Sequence, residues 1–214
     1  EIPATTIIEF KPRNILNNAV TIKKHSKLDS QKLQGISCRF QTSTDVIVHP
    51  LTINACELNQ VGNSSELDII INNTSLSNTE VYIDELPIHL SGDYVNASQL
   101  YYLLTQKLES VSIVHGNHTI PLHNAKLSSM GWKEEFDLLE NNNTSLNSYR
   151  HLQEYFVNKY KFLFVNLTGF KSDTPLPKAF KLRFKLKENT ENIQVNINSF
   201  KLFCSPAINL FDTT

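Results

Sequence analysis

The sequence is poor in the patterns that chemistry depends on. Glycine is scarce, six residues in 214, and none has the spacing of a phosphate-cradling loop, a dinucleotide fingerprint or a nucleophile elbow. That leaves nucleophilic catalysis and nucleotide binding without a starting point. No apolar run approaches the roughly 20 residues of a membrane-spanning helix, so direct membrane insertion is not expected. Charge of one sign is missing too. Twenty Lys and Arg stand against 21 Asp and Glu, a net charge of −1, whereas nucleic-acid binding rests on clustered cations. Cys38, Cys56 and Cys204 are an odd number at wide intervals, which fits neither a zinc site nor a disulfide framework. Each lies in an alternating apolar stretch. Three buried free thiols are therefore expected, in a reducing compartment.

What the chain has is period-two alternation, bounded by Asn, Ser, Asp, Gly and Pro. It predicts strands at Thr6–Phe10, Ala19–Lys23, Ile36–Gln41, Val46–Leu58, Leu67–Asn72, Glu80–Leu90, Phe162–Leu167, Ala179–Lys187 and Ile193–Cys204. Lys24–Gln34, Asn141–Ser145 and Lys171–Pro177 read as loops. Ile36, Cys38 and Phe40 should share a buried face. In Val46–Leu58, Leu51, Ile53 and Ala55 should alternate with Thr52, Asn54 and Cys56, with Pro50 at an edge or bulge. Pro87 should break the Glu80–Leu90 strand. Phe162–Leu167 is apolar on both faces, so it should be central and covered by the helix before it.

Two helices are expected. One is capped by Asp93 or Asn96 and covers about 97–109, with Leu100, Leu104 and Leu108 in a buried stripe. The other covers 148–157, with Tyr149, Leu152, Tyr155 and Phe156 on one face and Arg150 and Glu154 towards the other. The fold class is mainly β, bordering on α+β: an antiparallel sandwich-like domain with two packed helices. Residues 1–214 read as one domain. Because the chain opens on Glu1, it is expected to be excised from a longer protein.

Candidate sites are few. His115 and His118 flank Gly116-Asn117, a hairpin-turn dipeptide, and with His89 and His123 they lack metal-ligand spacing. Asp84-Glu85, Glu134-Glu135 and Asp137 offer carboxylates, but adjacent strand residues face opposite ways, and glycoside hydrolysis needs two that face each other. All read as solvated surface. In Phe180–Lys187, four apolar residues alternate with Lys181, Arg183, Lys185 and Lys187. This is either a cationic docking stripe or a half-buried strand whose charges discourage edge pairing. Arg150, Glu154 and Lys161 lie inside the aromatic block Tyr149–Phe170, as an ion-pair cluster or a docking surface. The partner-contact candidates are thus Arg150, Glu154, Lys161, Lys181, Arg183 and Lys185. Catalytic, cofactor and metal residues: none. Sequons at Asn63, Asn72, Asn73, Asn96, Asn117, Asn142, Asn143 and Asn166 carry the alternative, an extracellular carbohydrate-binding β-sandwich module.

Four segments carry a family resemblance. Tyr149-Arg150-x-Leu152-Gln153-Glu154-Tyr155-Phe156, followed by Lys161-Phe162-Leu163-Phe164-Val165, resembles the signature of TssF, the type VI secretion baseplate subunit. The tail Cys204-x-Pro206-x-x-Asn209-Leu210-Phe211 is similar to that family's closing motif. Cys38–Thr42 with Asp45-Val46 and Pro50-Leu51 matches a third element, and Gly131-Trp132 a fourth. His49 replaces an aromatic frequent in the family, and Asn158-Lys159-Tyr160 lacks its usual proline. The resemblance implies a non-enzymatic, cytoplasmic wedge component at the inner face of the bacterial inner membrane, joining sheath and tube to a membrane complex. The partners it implies are TssG, a second TssF copy, TssK, TssE and the spike hub. Because Arg150 and Glu154 lie within the most distinctive block, replacing either with Ala is expected to harm wedge assembly more than folding.

Overall fold

A computed structural model describes residues 3–13, 16–32, 35–76, 79–139, 147–170, 173–190 and 192–209. The first strands are β1 (Thr5–Glu9), β2 (Val20–Ile22), β3 (Lys27–Asp29), β4 (Arg39–Thr42), β5 (Val46–Val48), β6 (Leu51–Val61), β7 (Ser64–Asn73) and β8 (Glu85–Leu90). Helix α1 (Tyr94–Gln106) precedes β9 (Leu108–His115), β10 (His118–Pro121) and β11 (Lys126–Ser129). Helix α2 (Asn147–Val157) leads into β12 (Phe164–Thr168), β13 (Ala179–Leu186), β14 (Phe200–Leu202) and β15 (Cys204–Ile208).

All strand pairs are antiparallel. The sheets run β10-β9-β13-β7-β6, β11-β12-β8-β14 and β1-β15-β4-β3, with a β2-β5 ribbon. The fold is mainly β with two helices, as the alternation predicts. The main core lies between the first two sheets. Leu67, Ile69 and Ile71 of β7 and Phe180, Leu182, Phe184 and Leu186 of β13 meet Leu86, Ile88 and Leu90 of β8 and Val165 and Leu167 of β12. Ala97, Leu100, Leu103 and Leu104 of α1 close it. No helix among the described residues is long and apolar enough to cross a membrane.

Several elements depart from expectation for local reasons. Helix α1 is capped by the Asp93 carboxylate, which accepts from the Val95 and Asn96 amides. It stops at Gln106 because Leu108 joins β9 and pairs with Leu186. Lys27–Asp29 is a strand inside an expected loop, pinned to β4 by the Arg39 Nε–Asp29 ion pair at 2.8 Å. Ile36 and Cys38 precede β4 and are exposed, so Cys38 is no core thiol, whereas Cys56 and Cys204 are buried. In β6 the register shifts between Ile53 and Ala55. This bulge turns Cys56 and Leu58 inward where Ala55 was expected, because one extra residue flips the alternation.

Pro50 separates β5 from β6, and its carbonyl accepts the Thr74 amide. Pro87 lies within β8, one residue beyond the last β14 pairing, Leu202↔Ile88. A missing amide is harmless there. Glu80–Asp84 is not strand. At the other end, Phe203 adopts φ 54° between β14 and β15 and switches the chain from one sheet to another. The expected strand from Ile193 starts only at Phe200, after a turn closed by the Ser199 amide on the Asn196 carbonyl. Lys159–Phe162 forms a 3-10 turn before β12, so strand geometry begins at Phe164. Strand β12 is covered on both faces, with Val165 and Leu167 in the main core and Phe164 against Met130 and Phe136. Asn166, expected in an exit turn, is a buried member of that strand. Asn141–Ser145, Lys171-Ser172 and the motif residues Leu210 and Phe211 lie outside the described residues.

Candidate functional site

The most distinctive block of the sequence folds inside out. In α2, Arg150 is 3% exposed and Glu154 is fully buried, while Tyr149, Leu152 and Phe156 are 58%, 53% and 80% exposed. Tyr155 is partly exposed beside them. Residues 150, 154 and 158 share one face at helical spacing, and all three are buried. The aromatic face points to solvent and the charged face inward.

A buried ion network explains the inversion. Lys161, fully buried on the 3-10 turn, donates to Glu154 and lies 3.5 Å from Asp137. Arg150 Nη2 lies 2.7 Å from the other Asp137 oxygen. The second Glu154 oxygen accepts from the Leu138 and Leu139 amides at 2.8 and 2.9 Å. Three chain segments are thereby tied together: 137–139, the helix and the 3-10 turn. Charges this deep persist only when paired and hydrogen-bonded, so they decide which side of the helix goes in. Asp137, read from sequence as solvated surface, is part of the network, and its burial raises its pKa.

Gly131 makes room for this arrangement. A β-carbon there would lie 2.5 Å from the Lys161 carbonyl oxygen and 2.6 Å from the Phe162 Cα. The glycine lets the two turns touch, and Trp132 lands on Phe162 at a ring distance of 4.4 Å, with His151 edge-on at 5.6 Å. Trp132 is half exposed and extends the outward aromatic surface. Tyr155 also packs on Phe162 and reaches the Tyr94 hydroxyl at 3.2 Å.

The cationic stripe has a different fate. Lys181, Arg183 and Lys185 lie on β13, in the middle of the five-stranded sheet rather than on an edge. Arg183 grips the buried Asp68 through Nε and Nη2, both at 2.8 Å, and the Asp68 hydrogen bonds raise its pKa. Lys181 lies 3.5 Å from Asp68 and 3.7 Å from Glu57, and Lys185 lies 3.0 Å from Glu109. Acids of the neighbouring strands answer the stripe, which leaves little field for an outside partner. It is separate from the α2 network. The structure thus brings Arg150, Glu154 and Lys161 together, and keeps Lys181, Arg183 and Lys185 on another sheet.

The other candidates scatter. His115 and His118 pair across the β9–β10 turn, and His89 is buried in β8 with Nε2 3.2 Å from the Tyr160 carbonyl. Among the described residues, no three His, Cys, Asp or Glu side chains could hold a metal. Two sequon asparagines, Asn73 and Asn166, are buried, which closes them to a glycan. Sequence reasoning missed Asp137 and the exposed aromatic face. The signal available was Lys161 itself, a cation between Tyr160 and Phe162 that requires a carboxylate partner.

Comparison with known proteins defines the class first. The fold is that of a chain in a cryo-electron microscopy structure of a type VI secretion system TssK-TssF-TssG baseplate subcomplex. The TM-score is 0.86 at 24% identity, over 98% of this chain and 42% of that one. The chain therefore spans less than half the length of the solved protein it matches. The model of the TssF family of the type VI secretion system matches residues 1–214, and this chain belongs to that family. No curated protein matches it.

Proposed function

We propose that this chain is one β-rich domain, interior to a longer protein, that serves as a structural part of a type VI secretion baseplate wedge. It carries no reaction. It works by presenting shaped surfaces to neighbours, TssG, a second TssF copy and TssK, with TssE and the spike hub in the same assembly. The wedge connects sheath and tube to a membrane complex, on the cytoplasmic face of the inner membrane. Family membership supports this reading, and so does the likeness to a chain solved within a TssK-TssF-TssG subcomplex.

The observation that carries it is the inverted helix. Apolar surface held outward by a buried ion network is contact surface, since isolated domains rarely leave such patches uncovered. Aromatic residues of this kind anchor interfaces. Arg150, Glu154 and Lys161 then act by positioning α2, and a partner touches Tyr149, Leu152, Phe156 and Trp132.

The test is co-purification of the full-length protein with TssG. Leu152→Asp/Phe156→Asp is expected to lose the partner while its unfolding free energy stays within about 0.5 kcal/mol of the parent, as surface changes do. Retention of TssG at parental yield would refute the assignment.

A further inference from the structure

A groove of about 560 Å³ opens beside β5, and part of its lining, Met130, Glu135 and Phe136, comes from the segment that also carries Trp132. Its floor is apolar, formed by Val46, Ile83, Met130, Phe136 and Phe203, all buried. Strand β5 contributes one wall and has a strand partner, β2, along one edge alone among the described residues. Phe203, in its left-handed conformation at the sheet switch, sets the back of the groove.

The rim is acidic. Asp45, Asp84, Glu85 and Glu135 line it, with Lys24 as the single cation. Two of the four are answered within the chain. Lys23 Nζ lies 2.9 Å from Asp45, and Lys133 Nζ 3.6 Å from Glu135. Asp84 and Glu85 have no cationic partner among the described residues, and Glu85 accepts only from the neutral Asn166 amide, at 2.6 Å. His49, also in the lining, has its pKa lowered by burial against the opposing pull of the Asp84 charge.

We propose that this groove docks an extended segment of another protein, one that places a large apolar side chain on the floor and Lys or Arg beside Asp84 and Glu85. Two unanswered carboxylates next to an apolar floor select a cationic, apolar segment over a neutral or acidic one. The open edge of β5 can take such a segment as an added strand. This inference rests on the assembly reading but uses a surface remote in chemistry from the α2 stripe.

The probe is a fluorescein-labelled peptide, RKVFVKR, with EEVFVEE as its counterpart, titrated against the full-length protein and followed by anisotropy. The cationic peptide is expected to bind. Its affinity should fall about ten-fold in Asp84→Asn/Glu85→Gln, which keeps shape and the Asn166 hydrogen bond while removing both charges. It should also fall with added salt. Equal binding of both peptides, no binding, or no loss in the double variant would each overturn the proposal. So would tight, charge-independent uptake of a neutral apolar dye, which would mark a small-molecule pocket. A photo-crosslinker at Ile47 in the assembled complex should capture a cationic, apolar segment of a different subunit, and capture of this chain's own residues would overturn the choice of occupant. If TssG co-purification fails in the α2 variant while the peptide arm also fails, the groove idea falls and the wedge reading stands.

Discussion

Lys161→Met is the sharpest test of the buried network. The ammonium it removes is fully enclosed, donates to Glu154 and lies 3.5 Å from Asp137. Taking one partner from a buried ion pair costs about 3–5 kcal/mol, because the other charge is left uncompensated. Here the Leu138 and Leu139 amides still solvate the Glu154 carboxylate, and Arg150 still answers Asp137, so the lower end, about 3 kcal/mol, is expected. That is a large share of the about 5–15 kcal/mol of a whole domain. Glu154→Gln should cost less, about 1–2 kcal/mol, since an amide oxygen can still accept from both backbone donors. Combined with Lys161→Met it should restore most of the loss, because no unpaired charge remains. A coupling energy of about 3 kcal/mol is thus expected from the double-mutant cycle. Urea unfolding reads it out through Trp132, the one tryptophan of the chain, which stacks on Phe162 next to the network. Additive single effects, or a Lys161→Met loss below about 1 kcal/mol, would refute the claim that these charges orient α2.

Acid should weaken the fold through His89. Burial pushes its imidazole down to about 4, against an unfolded value near 6.5. The unfolded chain therefore binds the proton first, and stability is complete above about pH 6.5 and declines towards pH 4. About 2 kcal/mol should be lost by about pH 5, measured as the urea midpoint, and His89→Gln should flatten that slope. A parent protein equally stable at both pH values would contradict it. Thiol labelling should find one fast cysteine, Cys38, and two that react only on unfolding. Cys56 and Cys204 are buried, and desolvation pushes both up to about 12. Three equally reactive thiols in native protein would contradict the placement.

The strands of the core were legible wherever alternation and burial coincide. FKLRFKLK folds as written, with Phe180, Leu182, Phe184 and Leu186 inside. The Gly116-Asn117 turn and the Asp93 cap are where side-chain chemistry puts them. Legibility fails where a single residue changes the register or the side. One extra residue in β6 moves Cys56 inward, and nothing in VHPLTINACEL announces it. Helix α2 has two unlike faces, but amphipathicity shows only that they differ. Which one is buried was set by Asp137 and Lys161, on either side of the helix in sequence. The stripe on β13 was legible as charged but not as answered, because Asp68, Glu57 and Glu109 arrive from strands remote in the chain. Long-range pairing is what a local pattern cannot contain.

The orientation of α2 also bears on the life of a solitary copy. Greasy rings that wait in water for a counterpart adhere to whatever else is greasy, including their own kind. An orphan molecule is thus drawn towards clumping, at a rate that climbs with its abundance. Under the proposed role, matched synthesis of neighbours follows from the helix's shape, because prompt pairing keeps such a surface out of trouble.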